Sequence, residues 1–280
     1  MLAIRRAAVA GRFYPSSADE LSASVDDYLD GVELDSETAN APIPKALIVP
    51  HAGYIYSGAV AARAYARIKS GRGIIKRVIL LGPCHRVAVK GLALSSLDAF
   101  ETPLGIVPVD REASLNILPL PQVEVFDATH EQEHSLEVHL PFLQQLLDDF
   151  TIVPLVVGAA SPEEVSEVIA ALWGGKETLI VVSTDLSHFH DYEDARQLDA
   201  ETCAAIEKFE PEKIPQEGAC GRFPVGGLLT LARKKNMTIT TLDLRNSGDT
   251  AGPKERVVGY GSWILEEPRK SKATIRWNKA

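Results

Sequence analysis

Cysteine is scarce in this 280-residue chain, with Cys84, Cys203 and Cys220 the only three. An odd trio with no CxxC pair excludes a disulfide framework and points to a reducing, cytoplasmic setting. No run reaches the roughly 18 apolar residues of a membrane span, and residues 7–10, behind Arg5 and Arg6, are too few for the apolar part of a signal peptide. Basic charge is also short. With 29 Lys and Arg against 38 Asp and Glu, the net charge of -9 argues against nucleic acid or an anionic membrane as partner. The sequence contains no phosphate-binding glycine loop, no serine nucleophile elbow and no repeat at solenoid spacing.

What the sequence does contain is alternation. A 45% hydrophobic composition is enough for a full core, and short β-rich runs alternate with longer amphipathic ones, the mark of βαβ units around a largely parallel sheet. Strands are expected at 46–49, 77–81, 92–95, 152–157, 179–182, 238–244 and 257–265. Helices are expected from 17 to about 31, at 57–68, from Pro141 to 147, at 161–173, 192–209 and 224–235. Ser17 with Glu20 reads as a capping box, and Ser161-Pro162-Glu163-Glu164 as a strong helix start. Gly226-Gly227, inside an expected helix, reads as a close-packing contact. Residues 1–16 show no clear period, and 106–126 read as short strands and turns. The expected fold is a single α/β domain over 1–266, with a central mostly parallel or mixed sheet flanked by helices, and a basic tail over 267–280.

Three expected strands end in polar, ligand-type side chains: Pro50-His51-Ala52-Gly53, then Gly82-Pro83-Cys84-His85, then Asp185-Leu186-Ser187-His188. Parallel strands present their carboxyl ends to one crevice, so these residues are expected to converge. Two imidazoles on neighbouring loops suit iron, copper or zinc. Cys220, in a small-residue loop before a helix, leads as a third donor, with a small buried hydrophobe as the equal alternative and Cys84 ranked behind it. Asp185 and His188 suit an acid/base pair; alternatively Asp185 caps the turn through Ser187. In Glu133-His134-Ser135-Leu136-Glu137-Val138-His139 the histidines are five apart, about 140° around a helix, so the segment is not a helical zinc motif. Its acidic and imidazole density suits a site wall, and a solvated turn before Pro141 suits it as well. His130 and His190 read as surface residues and Cys203 as helix packing.

Taken together, the strings Pro50-His51-Ala52-Gly53-Tyr54, Leu81-Gly82-Pro83-Cys84-His85, Glu133 to Pro141, Ser183 to His188 and Cys220-Gly221-Arg222-Phe223-Pro224 resemble the Memo family, known in microbes as AmmeMemoRadiSam system protein B. The resemblance runs in order from about Gly11 to Leu265. It implies a fold similar to class III extradiol ring-cleavage dioxygenases, in which two histidines and a carboxylate bind iron(II) and another histidine is the acid/base. Carried over by motif, His51 and His85 look like the metal histidines and His188, beside Asp185, like the acid/base. Cys220 stands where the dioxygenases have a glutamate, and a thiolate favours copper(I) or zinc more than a carboxylate does. Tyr54, Glu133, His134, His139 and Arg222 are candidates for binding substrate or supporting the site. The expected function is a metal-dependent oxidoreductase of unknown substrate. The alternatives are a non-catalytic cleft that binds a peptide, cofactor or partner, with a radical-SAM protein implied by the family label, and a cysteine-based redox sensor.

Overall fold

The structure, a computed structural model, describes residues 2–39 and 41–268. The middle of its main sheet is four parallel strands, Ala46–Val49, Thr178–Ser183, Arg77–Pro83 and Thr151–Val157, in that spatial order. Alternation along them splits the core in two. Ile48, Ile79, Leu81, Val153 and Val182 pack on one face, and Leu47, Val49, Val78, Leu80 and Val181 on the other. Strands buried on both faces read as continuous apolar runs, and that is why the sequence located them.

Both sides of this parallel centre are mixed. Val257–Glu266 runs antiparallel to Ala46–Val49 and itself carries Thr238–Asn246 and the short edge strand His188–His190, both antiparallel. On the far side Leu92–Leu94 pairs antiparallel with Thr151–Val157 and parallel with Val123–Val125. Helices Pro162–Ala171 and Arg222–Lys234 cover one face, where a Cβ on Gly227 would fall 2.3 Å from Val165. Helices Ala18–Asp30, Tyr54–Tyr65 and Leu140–Leu146 cover the other. Both expected helix starts form, with Ser17 accepting from Glu20 N–H, one half of the expected capping box, and Ser161 with Glu164 making the reciprocal box. Among the described residues, no helix is long and apolar enough to cross a membrane.

Several boundaries differ from expectation. The helix expected from Ser57 begins at Tyr54 and continues as a 3-10 turn over Ala66–Gly71. Residues 106–126 hold a seven-residue helix, Arg111–Ile117, capped by the Asp110 side chain on Ala113 N–H. Ile4–Arg5 pairs with Ala99–Thr102 in a small second sheet. Nearly all of the expected basic tail, from Arg269 on, lies outside the described residues.

The N-terminal segment is held by a buried charge pair that the sequence did not reveal. Arg5 pairs with Glu137, and both are buried. The Glu137 carboxylate also accepts from Ala8 N–H at 2.8 Å, Val9 N–H at 3.0 Å and the Tyr14 hydroxyl at 2.5 Å. Arg5 donates onward to the carbonyls of His130 at 3.0 Å and Glu133 at 2.6 Å. His130 is thus a buried residue, contrary to its surface reading, and its Nε2–H reaches the Ala93 carbonyl at 3.0 Å.

Removing one partner of a buried pair leaves an uncompensated charge. Glu137→Ala is therefore expected to cost about 3–5 kcal/mol in urea unfolding. Burial also pushes His130 from 6.5 down to about 4. The unfolded chain then takes up a proton that the folded chain refuses, so this residue lowers stability as pH falls through that window. His130→Gln should recover about 3 kcal/mol relative to the parent chain across the same window, measured by urea unfolding at each pH.

Candidate metal centre

His51 follows Pro50 at the carboxyl end of the Ala46–Val49 strand and is buried. Its backbone N–H donates to Asp185 Oδ1 at 2.7 Å. Ser183 Oγ donates to the Ser135 carbonyl at 2.7 Å, so at 2.6 Å from His51 Nδ1 it accepts the ring proton. That sets the tautomer: Nδ1 carries the hydrogen and Nε2 keeps its lone pair. Burial first, then the neighbouring rings of His85 and His134, hold His51 well below the usual histidine range, neutral and ready to bind a cation.

His85 sits beyond the Arg77–Pro83 strand and is gripped twice by Glu133, through its backbone N–H at 2.6 Å and ring Nδ1 at 2.8 Å. Glu133 Oε1 also accepts the backbone N–H of His134 and of Ser135, each at 2.9 Å. Burial would raise this carboxyl, but the His85 ring and these backbone donors outweigh it and hold it at about 2. An ionised carboxylate on Nδ1–H leaves His85 Nε2 as its free donor.

The 133–139 segment, read as a site wall, places its first histidine inside the cluster. His134 stacks on His85 with ring centroids 4.7 Å apart. The ligand atoms of His51, His85 and His134 all lie within 4.8 Å of one another. Burial pushes His134 down to about 4. This approach requires Gly82, where a Cβ would stand 2.7 Å from Ser135 Oγ. A clue was present in the sequence: Glu133 and His134 are adjacent, so one carboxylate bonded to His85 brings the next ring alongside. His139 points elsewhere, buried 6.1 Å from the Tyr65 ring.

Cys220 lies on another side of His51, its sulfur 3.4 Å from Nε2. The loop reaches there because Gly221 has no Cβ; one would meet the Ser183 carbonyl at 2.5 Å. Asp185 N–H donates to the sulfur at 3.3 Å. Burial, then the Asp185 carboxyl, pushes the thiol up. Cys203 is buried in its helix, as expected of packing.

Asp185 braces His51 rather than His188. It takes the His51 backbone N–H, and its other oxygen lies 3.8 Å from His51 Nε2. Burial pushes this carboxyl above the usual range. The expected cap through Ser187 is made by Asp199, which accepts Ser187 N–H at 2.9 Å. His188 gives its Nδ1–H to the Leu186 carbonyl at 2.8 Å, so Nε2 is its free nitrogen. Tyr54 and Arg222 are not brought into the cluster: the Tyr54 hydroxyl donates to the Val138 carbonyl at 2.7 Å, and the Arg222 guanidinium lies over the Phe223 ring. A separate cavity of about 690 Å³ opens at the opposite end of the strands, around Lys45 and Thr178.

Comparison with known proteins agrees with the resemblance read from the motifs. The Memo family pattern, described as Memo-like protein, matches residues 5–264. A MEMO1 family protein of Aquifex aeolicus is 36% identical over 276 residues, covering 94% of this chain and 99% of the relative. Protein MEMO1 of Xenopus laevis is 31% identical, covering 93% of this chain and 97% of its own. Among solved structures, an uncharacterized protein of Escherichia coli K12 matches with a TM-score of 0.54 at 13% identity, over 80% of this chain and all of the other, and so shares the fold. With a family match spanning nearly its whole length and relatives above 30% identity from a bacterium to a vertebrate, this chain belongs to the Memo-like protein family.

Proposed function

We propose that the chain is a metal-dependent oxidoreductase whose ion is held by Nε2 of His51 and of His85. The observation that carries this reading is the pair of fixed tautomers. Ser183 and Glu133 each engage an Nδ1–H, at 2.6 and 2.8 Å, so both Nε2 lone pairs are free for a cation. Two groups compete for the third position. His134 completes the set of donors within 4.8 Å, and Cys220 Sγ lies 3.4 Å from His51 Nε2.

Imidazole donors fit iron(II), copper and zinc, and a Cys220 thiolate would draw the site toward copper(I) or zinc. A bound iron or copper ion would supply one-electron chemistry and polarise a substrate oxygen. The protein's own part is to orient and to move protons. Glu133 holds His85 in line, and the Asp185 carboxylate holds the His51 backbone. His188, with Nδ1 tied to Leu186, keeps Nε2 free to take or give a proton beside Cys220.

Metal analysis of anaerobically purified protein tests this. His51→Ala should abolish bound metal, and unchanged stoichiometric content would overturn the site. Glu133→Gln, which loosens the support of His85, should weaken metal affinity by roughly 10–100-fold. His134→Ala and Cys220→Ser, analysed side by side, assign the third donor to whichever variant loses metal. No oxygen consumption with any reductant at full metal loading would refute the oxidoreductase reading and leave a binding cleft.

A further inference from the structure

A cavity of about 350 Å³ lies between the edge strand His188–His190 and the loop that carries Cys220, lined by His188, His190, Gln216, Glu217, Ala219 and Cys220. Through Cys220 it adjoins His51. Its volume is at the small end of ligand pockets, suited to a small molecule and not to a folded partner.

His190 reads from the sequence as a bystander, and a distortion of the backbone makes it part of this cavity. The pairing of His188 with Val258 and of His190 with Val257 slips by one residue between the two histidines. Phe189 occupies the bulge at φ 63, a left-handed conformation that strains a residue bearing a Cβ. Both histidines line the cavity, and the Phe189 ring is turned out to 62% exposure. Bulges of this kind re-aim side chains beside active sites. The Phe189 ring leaves the core, meeting the edge of the His188 ring at 5.8 Å and lying under the Arg256 guanidinium at 5.0 Å, so the strain serves the local arrangement around His188 and His190.

The pair that faces the cavity stands at its mouth, with the Glu217 side chain 81% exposed and that of His190 33%. His190 Nε2 and Glu217 Oε2 stand 4.0 Å apart. That is too far for a direct hydrogen bond, and it leaves room for one heavy atom to contact both. We propose that this cavity is the substrate site of the centre and that His190 and Glu217 together grip an O–H or N–H donor of a small molecule. The assignment rests on the metal-centre reading for its chemistry but not for its geometry. Gln216 offers a further polar contact, and His188 sits beside the gripped group with a free ring nitrogen.

The test uses benzyl alcohol, benzylamine and toluene, three probes that share a ring and differ in the donor. Each is titrated into the full chain, and binding is read from the NMR shifts of the histidine ring C–H signals, alongside metal content. The alcohol or the amine should bind roughly tenfold more tightly than toluene and move the His190 signal, a preference worth one net hydrogen bond. Preference for the alcohol names a hydroxyl as the gripped group; preference for the amine names an ammonium. His190→Ala and Glu217→Gln should each remove the preference without changing metal content. Equal binding of toluene, or a preference that survives in both variants, overturns the proposal. A chain that binds no metal yet keeps the preference fails the metal reading alone; one that loads metal and shows no preference fails the cavity assignment alone.

Discussion

The buried carboxylate of Glu133 accepts from the ring and backbone of His85 and from the backbone of His134 and Ser135. The positions of two histidines depend on that one group. Burial by itself would protonate it, and an uncharged acid would hold the His85 ring far less firmly. The donors win, and Glu133 stays ionised down to about pH 2. Its own position is secured from behind, because the Glu133 carbonyl accepts from Arg5, and Arg5 is paired with Glu137 four residues on. The N-terminal segment thus acts at a distance on the site. It locks the 133–139 segment, which in turn sets the spacing of His85 and His134 from His51.

How much of this was legible in the sequence depended on whether a feature is local. The four central strands are apolar on both faces, and the caps at Ser17 and Ser161 need only neighbours three residues away, so both could be read directly. Convergence of His51 and His85 followed from parallel strands sharing one rim. The Arg5–Glu137 pair spans 132 residues of sequence and leaves no pattern in either segment. Arg111–Ile117, at seven residues, is too short to display a helical period. His130 looked polar and therefore exposed, although its ring makes a buried bond to the Ala93 carbonyl. Helical spacing separates His134 from His139 and leaves the sequence only a site wall or a solvated turn for His134. A turn anchored by Glu133 obeys no such spacing.

Asp185 shows the same chemistry with the opposite outcome. It is as deeply placed as Glu133, but fewer donors face it, and burial prevails, pushing its carboxyl up where Glu133 is held down. Within one site, then, the donors aimed at each carboxyl, the His85 ring first among those on Glu133, decide which remains a fixed anion. Glu133 fixes the charge beneath His85. Asp185 acts through its hydrogen bond to the His51 backbone.

The sheet divides the site in a related way. The metal-type histidines come from or pack against the parallel middle, where every strand is flanked on both sides and Gly82 leaves no room for a side chain. A shift there would displace both apolar faces of the core at once, so the donors inherit the rigidity of the packing. His188 and His190 belong to an edge strand with a single neighbour, where pairing tolerates a slipped register and a left-handed Phe189. Edge distortions of this kind cost little to the core. The fold can therefore hold the metal-type donors fixed in the middle of the sheet while the shape of the adjoining cavity varies at its border.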